Sequence, residues 1–329
     1  MPELILAATA VLFGFVGLAW GADKFVDGSA AIALRLGLSK LIIGLTIVSL
    51  GTSAPEILVA ISASLKHSGD LAVGNALGSN LANIGLVLAV TAIISPIPFD
   101  RRLLLHEIPL LLAVTGLAGA VLFNAVLQVS EGVLLAALIV PVIGLLFWLK
   151  HNIPSASLEL TSDEQESLAH KKVTTPLMLF ALGLIVLLIS SESLVWGART
   201  LAQHFGVSPL VIGLTVVAIG TSLPELAASL ASALKNHHDL AIGNIIGSNI
   251  FNILAVVAVP ALFGPTLLDS DVFNRDYVSV MAITLALAMF LILSHWRARR
   301  TKAPAKLARA TGIALLVGYL CYYLVIFYR

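Results

Sequence analysis

The sequence predicts an all-α polytopic membrane protein: ten transmembrane helices, arranged as two inverted-topology repeats of five. Three observations carry this. Of 329 residues, 59% are hydrophobic and only 11% are charged, less than half the roughly 25% charge of a soluble domain. The apolar residues gather into ten stretches of membrane-spanning scale, about 20 residues being what a bilayer requires. A 41-residue block near the start of the chain recurs, without a gap, 169 residues later. A charge fraction this low excludes a soluble enzyme, a nucleic-acid binder and a disordered scaffold. Lys and Arg (19) nearly balance Asp and Glu (18), so no net field draws a polyanion. The one cysteine, Cys321, allows neither an intrachain disulfide nor a cysteine-based metal site.

The stretches are read at 4–34, 40–65, 71–95, 103–124, 129–149, 174–203, 209–234, 240–263, 276–295 and 308–328. Backbone in lipid must satisfy its own hydrogen bonds, so each is expected to be a helix. Ser95-Pro96-Ile97-Pro98-Phe99-Asp100-Arg101-Arg102 divides the third from the fourth, the polar segment 150–173 the fifth from the sixth, and the basic stretch 296–309 the ninth from the tenth. The first stretch has no basic leader and outruns a signal-peptide apolar region, so it is read as the first span. Lys and Arg set orientation. With the amino terminus outside, fourteen of the nineteen fall in cytoplasmic loops, four fall outside, and Lys24 lies within the first helix. The chain is therefore expected in the cell membrane with both termini extracytoplasmic, and the run from Arg297 to Arg309 is read as part of that signal.

Residues 44–84 (GLTIVSLGTSAPEILVAISASLKHSGDLAVGNALGSNLANI) and 213–253 (GLTVVAIGTSLPELAASLASALKNHHDLAIGNIIGSNIFNI) are identical at 21 of 41 positions. The register continues outside the block, where Gly37 aligns with Gly206, Asp23 with Glu192, Asp100 with Asp269 and Glu107 with Asp276. The expected organisation is a first half at 1–150, a short cytoplasmic linker at 151–173 and a second half at 174–329. Five spans per half is an odd number, so the second half enters the membrane from the opposite side, as in many secondary transporters. A duplication kept for structure alone would retain small residues and apolarity. Here the identities include Thr, Ser, Pro, Glu, Asp and Asn.

The sharpest motif is Gly51-Thr52-Ser53-Ala54-Pro55-Glu56, repeated as Gly220-Thr221-Ser222-Leu223-Pro224-Glu225. An ionisable side chain inside an apolar span costs at least ~2.5–3.5 kcal/mol, which marks a functional position. Proline lacks an N–H, so it is expected to free the carbonyls of Gly51 and Gly220 and to bend each helix. A carboxylate beside carbonyls and hydroxyls forms a hard, all-oxygen cation site, and Ca²⁺ takes 6–8 such oxygens. The following helix in each half supplies Ser79 and Asn83, or Ser248 and Asn252, at i and i+4 on one face. Asn80 and Asn249 point elsewhere and are expected to tie helices together. Gly74, Gly78, Gly243 and Gly247 have the spacing of close helix contacts. Glu56 and Glu225 together carry two negative charges, which one divalent or two monovalent cations neutralise. No His or Cys falls within the motifs, which disfavours transition metals.

These paired GTSxPE and GNxxGSN blocks resemble the α1 and α2 repeats of the calcium/cation antiporter superfamily, the sodium/calcium exchangers, and especially its short prokaryotic members. The resemblance covers the ten-helix layout. It implies Na⁺-driven Ca²⁺ antiport by alternating access, with ions held between the second, third, seventh and eighth helices while the long first and sixth helices move against a rigid core. It places the acidic Ca²⁺ ligands on Glu56 and Glu225, carbonyl ligands on Thr52 and Thr221, and hydroxyl ligands on Ser53, Ser222, Ser79 and Ser248. Amide ligands fall on Asn83 and Asn252, and two further carbonyls on Ser49 and Ala218. Asn252 stands where K⁺-dependent relatives carry Asp, which argues against K⁺ co-transport. Ca²⁺ and Na⁺ as substrates and the bilayer are the expected partners, with function as a monomer, no nucleic acid and no cofactor. The alternatives are a Ca²⁺/H⁺ or other cation antiporter on the same fold, or a cation channel. A membrane enzyme is disfavoured, since the sequence holds no second acid–base constellation and no cofactor motif.

Among weaker features, Asp70 and Asp239 are expected as helix N-caps. Asp23, Lys24 and Asp27 in the first helix imply an internal ion pair or a water-filled funnel, the symmetric Glu192 favouring the funnel. His106-Glu107 and Arg275-Asp276 are expected to anchor the fourth and ninth helices at the interface.

Overall fold

The computed structural model describes residues 2–151, 174–206 and 218–327, and these are almost wholly helical. The helices are α1 (Pro2–Arg35), α2 (Lys40–Ile43), α3 (Ser49–Thr52), α4 (Ala54–Leu65), α5 (Gly69–Ala82), α6 (Ala89–Ile94), α7 (Ile108–Leu122), α8 (Val129–His151), α9 (Thr174–His204), α10 (Ala218–Thr221), α11 (Leu223–Leu234), α12 (His238–Phe251), α13 (Ala258–Phe263), α14 (Val278–Thr301) and α15 (Arg309–Phe327). Among the described residues, eight helices are long and apolar enough to cross a membrane, or nine if the broken pair Lys40–Thr52 and Ala54–Leu65 counts as one span. The chain is thus a multi-pass membrane protein. Most of the expected linker and residues 209–217 of the expected seventh span lie outside the described residues.

Three features depart from the expected layout. The ninth span continues as helix to Thr301, so Arg297, Arg299 and Arg300 are helical where a loop was expected, and Arg300 stacks 3.5 Å over the Trp296 ring. Five stretches widen to π-helix: Gly44–Val48, Asn83–Leu88, Leu103–Glu107, Asn252–Val256 and Val272–Tyr277. Four of these begin at positions related by the 169-residue repeat, so the distortion is inherited with the sequence. Short strands also form, β1 (Ile97–Pro98) with β4 (Lys306–Leu307) and β2 (Val126–Leu127) with β3 (Thr266–Leu267), both antiparallel. Two-residue strands carry no periodicity, so nothing in the sequence announced them.

The chain divides into two compact units, one of residues 1–52 and 144–244 and the other of 53–143 and 245–329. In the first, α1 and α9 lie antiparallel. Their approach is set by small residues seven apart on α1. A side chain on Gly28 would collide with Phe180, on Gly21 it would sit 2.8 Å from the Leu187 amide nitrogen, and on Gly14 2.9 Å from Leu194 Cβ. A seven-residue repeat of small side chains keeps one seam in register along two long helices. Beneath the seam lies an apolar core of Leu18, Phe25, Val26, Ile43, Leu187 and Leu240. The opposite faces expose Phe13, Val16, Met178 and Ile189, as lipid-facing surfaces do. In the second unit, Asn80 Nδ2 donates to the Asn249 carbonyl at 3.2 Å, so Asn80 ties helices as expected. Asn249 instead donates to Ile245 O within its own helix.

The acidic cluster of α1 has a partner that sequence reasoning missed. Lys235, which caps the C-terminus of α11, places Nζ 2.6 Å from both Asp23 Oδ1 and Asp27 Oδ1 and donates to Asp23 O at 3.0 Å. The expected internal pair is also present, Lys24 to Asp23 at 2.9 Å. The Asp23, Asp27 and Lys235 side chains are 28–42% exposed, so screening limits each pair to about 1 kcal/mol or less. Lys235→Met is expected to lower stability by about 1 kcal/mol in low salt, with the deficit shrinking as salt screens the remaining repulsion. Thermal melting in dilute and concentrated choline chloride, which leaves Na⁺ out, checks both parts. Asp70 and Asp239 are not caps; each sits in the first turn of its helix, where the helix dipole favours a carboxylate.

Candidate functional site

Both GTSxPE motifs break a helix. The second span stops at Thr52 and restarts at Ala54, with Ser53 at φ −82° and ψ 6°. Ser222 does the same between α10 and α11, at φ −89° and ψ 3°. The proline therefore sits in the first turn of a new helix, where its missing N–H leaves no bond unmade. The two segments of the second span meet at 43°, so the expected bend is present there, at a break in the helix. Glu56 and Glu225 also fall in those first turns, at the positive end of the helix dipole. The Gly220 carbonyl, expected to be free, accepts a hydrogen bond from Ser191 Oγ of α9 at 3.1 Å.

In the unit of residues 53–143 and 245–329, Glu56 is 1% exposed and Ser79 Oγ donates to its Oε1 at 3.4 Å. Ser53, Ser79, Asn83, Ser248 and Asn252 are all buried there. Glu56 Oε2, Ser248 Oγ and both amide atoms of Asn83 and of Asn252 have no hydrogen-bond partner. Asn83 and Asn252 each open a π-helical stretch. Such widenings recur at functional sites because they re-aim side chains and loosen the i→i−4 ladder.

In the other unit, Ser49, Thr52, Ser222 and Glu225 are buried and Thr221 is partly so. Ala218 opens α10. Ser222 Oγ has no hydrogen-bond partner. Thr52 Oγ1 has two acceptors for its one proton, Asn244 Oδ1 at 3.1 Å and Ser49 O at 3.3 Å, and the shorter contact is to Asn244. Asn244 and Ser229, neither expected as site residues, are fully buried beside Glu225. Asn244 had a signal, since it is the repeated Asn of GNxxGSN; Ser229 had none, because the first half carries Ala60 there.

Buried polar atoms are normally hydrogen-bonded. Here buried, unpaired oxygens of Ser248, Asn83 and Asn252 share a unit with the Glu56 carboxylate, and in the other unit the unpaired Ser222 lies three residues before Glu225. Neutral oxygens with a single acid suit a hard, dehydrated cation. Among the described residues no three His, Cys, Asp or Glu side chains gather as a metal cluster, so the donor set is hydroxyl, amide and carbonyl oxygen around isolated carboxylates. Glu107 and Asp276, expected as interface anchors, are instead buried. Asp276 accepts from Arg275 Nε at 2.7 Å and from Tyr322 at 3.0 Å, a fixed network unlike the loosely paired motif residues.

A family model described as "Sodium/calcium exchanger protein" matches residues 6–148 and 175–328. A protein of Alkalimonas amylolytica named putative antiporter CaxA is 44% identical over 98% of this chain and 99% of its own length. The sodium/calcium exchanger MaX1 of Methanosarcina acetivorans is 31% identical over 97% of each chain. A solved structure of the sodium-calcium exchanger NCX_Mj superposes with a TM-score of 0.80 at 35% identity, covering 97% of this chain and 98% of that one.

Proposed function

The chain belongs to the sodium/calcium exchanger protein family, and from that premise we propose that it is a secondary antiporter exchanging cytoplasmic Ca²⁺ for external Na⁺ by alternating access. The observation that carries the reading is the set of buried, unpaired side-chain oxygens on Glu56, Asn83, Ser248 and Asn252, matched through the repeat by Ser222 and the buried Glu225. Glu56, Ser53, Ser79, Asn83, Ser248 and Asn252 are proposed as ligands, as are Ser49, Thr52, Ala218, Thr221, Ser222 and Glu225. Two carboxylates bring two negative charges, which one Ca²⁺ or two Na⁺ balance, so both ions are carried without an uncompensated buried charge. The antiparallel course of α1 and α9, the first helix of each half, supports the inverted arrangement of two five-helix halves, 1–150 and 174–329. The excess of Lys and Arg in one set of loops supports extracytoplasmic termini. The protein acts as a monomer without a cofactor.

The test is ⁴⁵Ca²⁺ uptake into proteoliposomes under an imposed Na⁺ or pH gradient. Uptake is expected when Na⁺ is loaded inside and diluted outside, and none from a pH gradient alone. Uptake that follows the pH gradient and ignores Na⁺ moves the assignment to a Ca²⁺/H⁺ antiporter. Ca²⁺ leakage with no counter-ion makes it a channel.

A further inference from the structure

We propose that Asn244 is a positioning residue: a single carboxamide that sets the place of two ion-binding residues, Thr52 and Glu225. The inference rests on the reading of those two residues as ligands. Asn244 lies on α12 and is fully buried. Its Oδ1 accepts the Thr52 hydroxyl at 3.1 Å. Its Nδ2 donates to Ser229 Oγ at 3.0 Å and faces the Glu225 carbonyl at 3.5 Å. One side chain therefore joins the last residue of α3 to the first turns of α11.

The chemistry requires an amide. The Glu225 carbonyl only accepts, so it fixes which end of the carboxamide is nitrogen, and the oxygen is left for the Thr52 hydroxyl. An aspartate would turn an acceptor towards the Glu225 carbonyl and bury a further charge. A leucine would take away the donor to Ser229 Oγ and leave the Thr52 hydroxyl only the Ser49 carbonyl of its own helix. The reach of Asn244 to Thr52 depends on its neighbour. A Cβ on Gly243 would lie 2.6 Å from Leu41 O, and one on Gly44 would lie 2.7 Å from Leu240 O. Only paired glycines let α12 approach that closely. The equivalent Asn75 of the first half differs at its nitrogen, since its Nδ2 has no hydrogen-bond partner where Asn244 Nδ2 donates to Ser229, and position 60 carries Ala in place of that serine.

Exchange measured in proteoliposomes across a range of Ca²⁺ concentrations tests this with Asn244→Leu, Thr52→Val and the double variant. Thr52→Val keeps the side-chain shape and the backbone carbonyl while removing the hydroxyl, so it carries the test if Asn244→Leu fails to fold. Each single change is expected to raise the half-saturating Ca²⁺ concentration about tenfold, the scale of one buried hydrogen bond with a stranded partner. The effect on maximal rate should be smaller. The double variant should be no worse than Asn244→Leu, because both changes break one link. An unchanged half-saturation in Thr52→Val overturns the proposal, as do losses that multiply in the double variant. Glu225→Gln in the same assay separates the two levels. If it keeps wild-type Ca²⁺ dependence, the ligand reading itself fails; if it loses exchange while Thr52→Val is unaffected, only the positioning role falls.

Discussion

Glu56→Gln and Glu225→Gln are each expected to reduce Ca²⁺ exchange at least a hundredfold while the protein still inserts and folds. A carboxylate about 2.4 Å from a divalent cation is attracted by on the order of 10 kcal/mol at an effective dielectric of 20. Losing a third of that exceeds the roughly 2.7 kcal/mol of a hundredfold change. Glutamine keeps the size of the side chain and an acceptor oxygen, so Ser79 still has its partner at position 56. Folding should not suffer. Both carboxylates are 1% exposed, and a neutral amide is easier to bury than a charge. The melting temperature without Ca²⁺ should therefore stay level or rise, and the Ca²⁺-induced increase seen in the wild type should disappear. ⁴⁵Ca²⁺ flux and melting with and without Ca²⁺ read both effects. Wild-type flux from either variant removes the ligand assignment, and loss of flux together with a collapsed melting temperature would make the glutamate structural.

How much of this was legible in the sequence depends on the physical scale of each feature. Bilayer thickness imposes long apolar runs, so the boundaries of the spans formed by α1, by α5 through α6 and by α8 could be read to within a few residues. The repeated GTSxPE and GNxxGSN blocks pointed to Glu56, Ser79, Asn83 and their mates, because polar residues inside apolar helices have few other reasons to be there. What stayed hidden was set by three-dimensional approach. The sequence implies a bend at each proline, and the second span does bend by 43°, but a proline alone does not say that the helix stops and restarts, as it does at Ser53 and Ser222. The π-helical turns at Asn83 and Asn252 leave no mark in composition. Lys235 sits in a loop in the sequence, yet it reaches two acids more than 200 residues earlier. The seven-residue series Ala7, Gly14, Gly21 and Gly28 was present in α1, but a small-residue stripe gains meaning only beside the helix that fills it.

The GN pair of the two halves offers the second large effect, because identical sequence should respond in opposite ways. Gly243→Ala is expected to destabilise by about 3 kcal/mol, the upper end of overpacking penalties, whereas Gly74→Ala should be neutral or gain up to ~1 kcal/mol from helix propensity. The added methyl at Gly243 would sit 2.6 Å from Leu41 O and 3.0 Å from the Leu45 nitrogen. Both are backbone atoms, so no rotamer change relieves the clash and the helices must separate. At Gly74 nothing lies within 4 Å of the same methyl. Separation at Gly243 would also draw Asn244 from Thr52, since the two residues are consecutive on one helix. The same variant should therefore weaken Ca²⁺ dependence as well as stability, while Gly74→Ala should change neither for the worse. Detergent melting curves and Ca²⁺ titrations of the two variants provide the comparison. Equal destabilisation would mean that propensity, not close approach, governs both glycines. Loss of stability with an unaltered Ca²⁺ dependence would uncouple the glycine contact from the ion ligands and leave it a packing device alone.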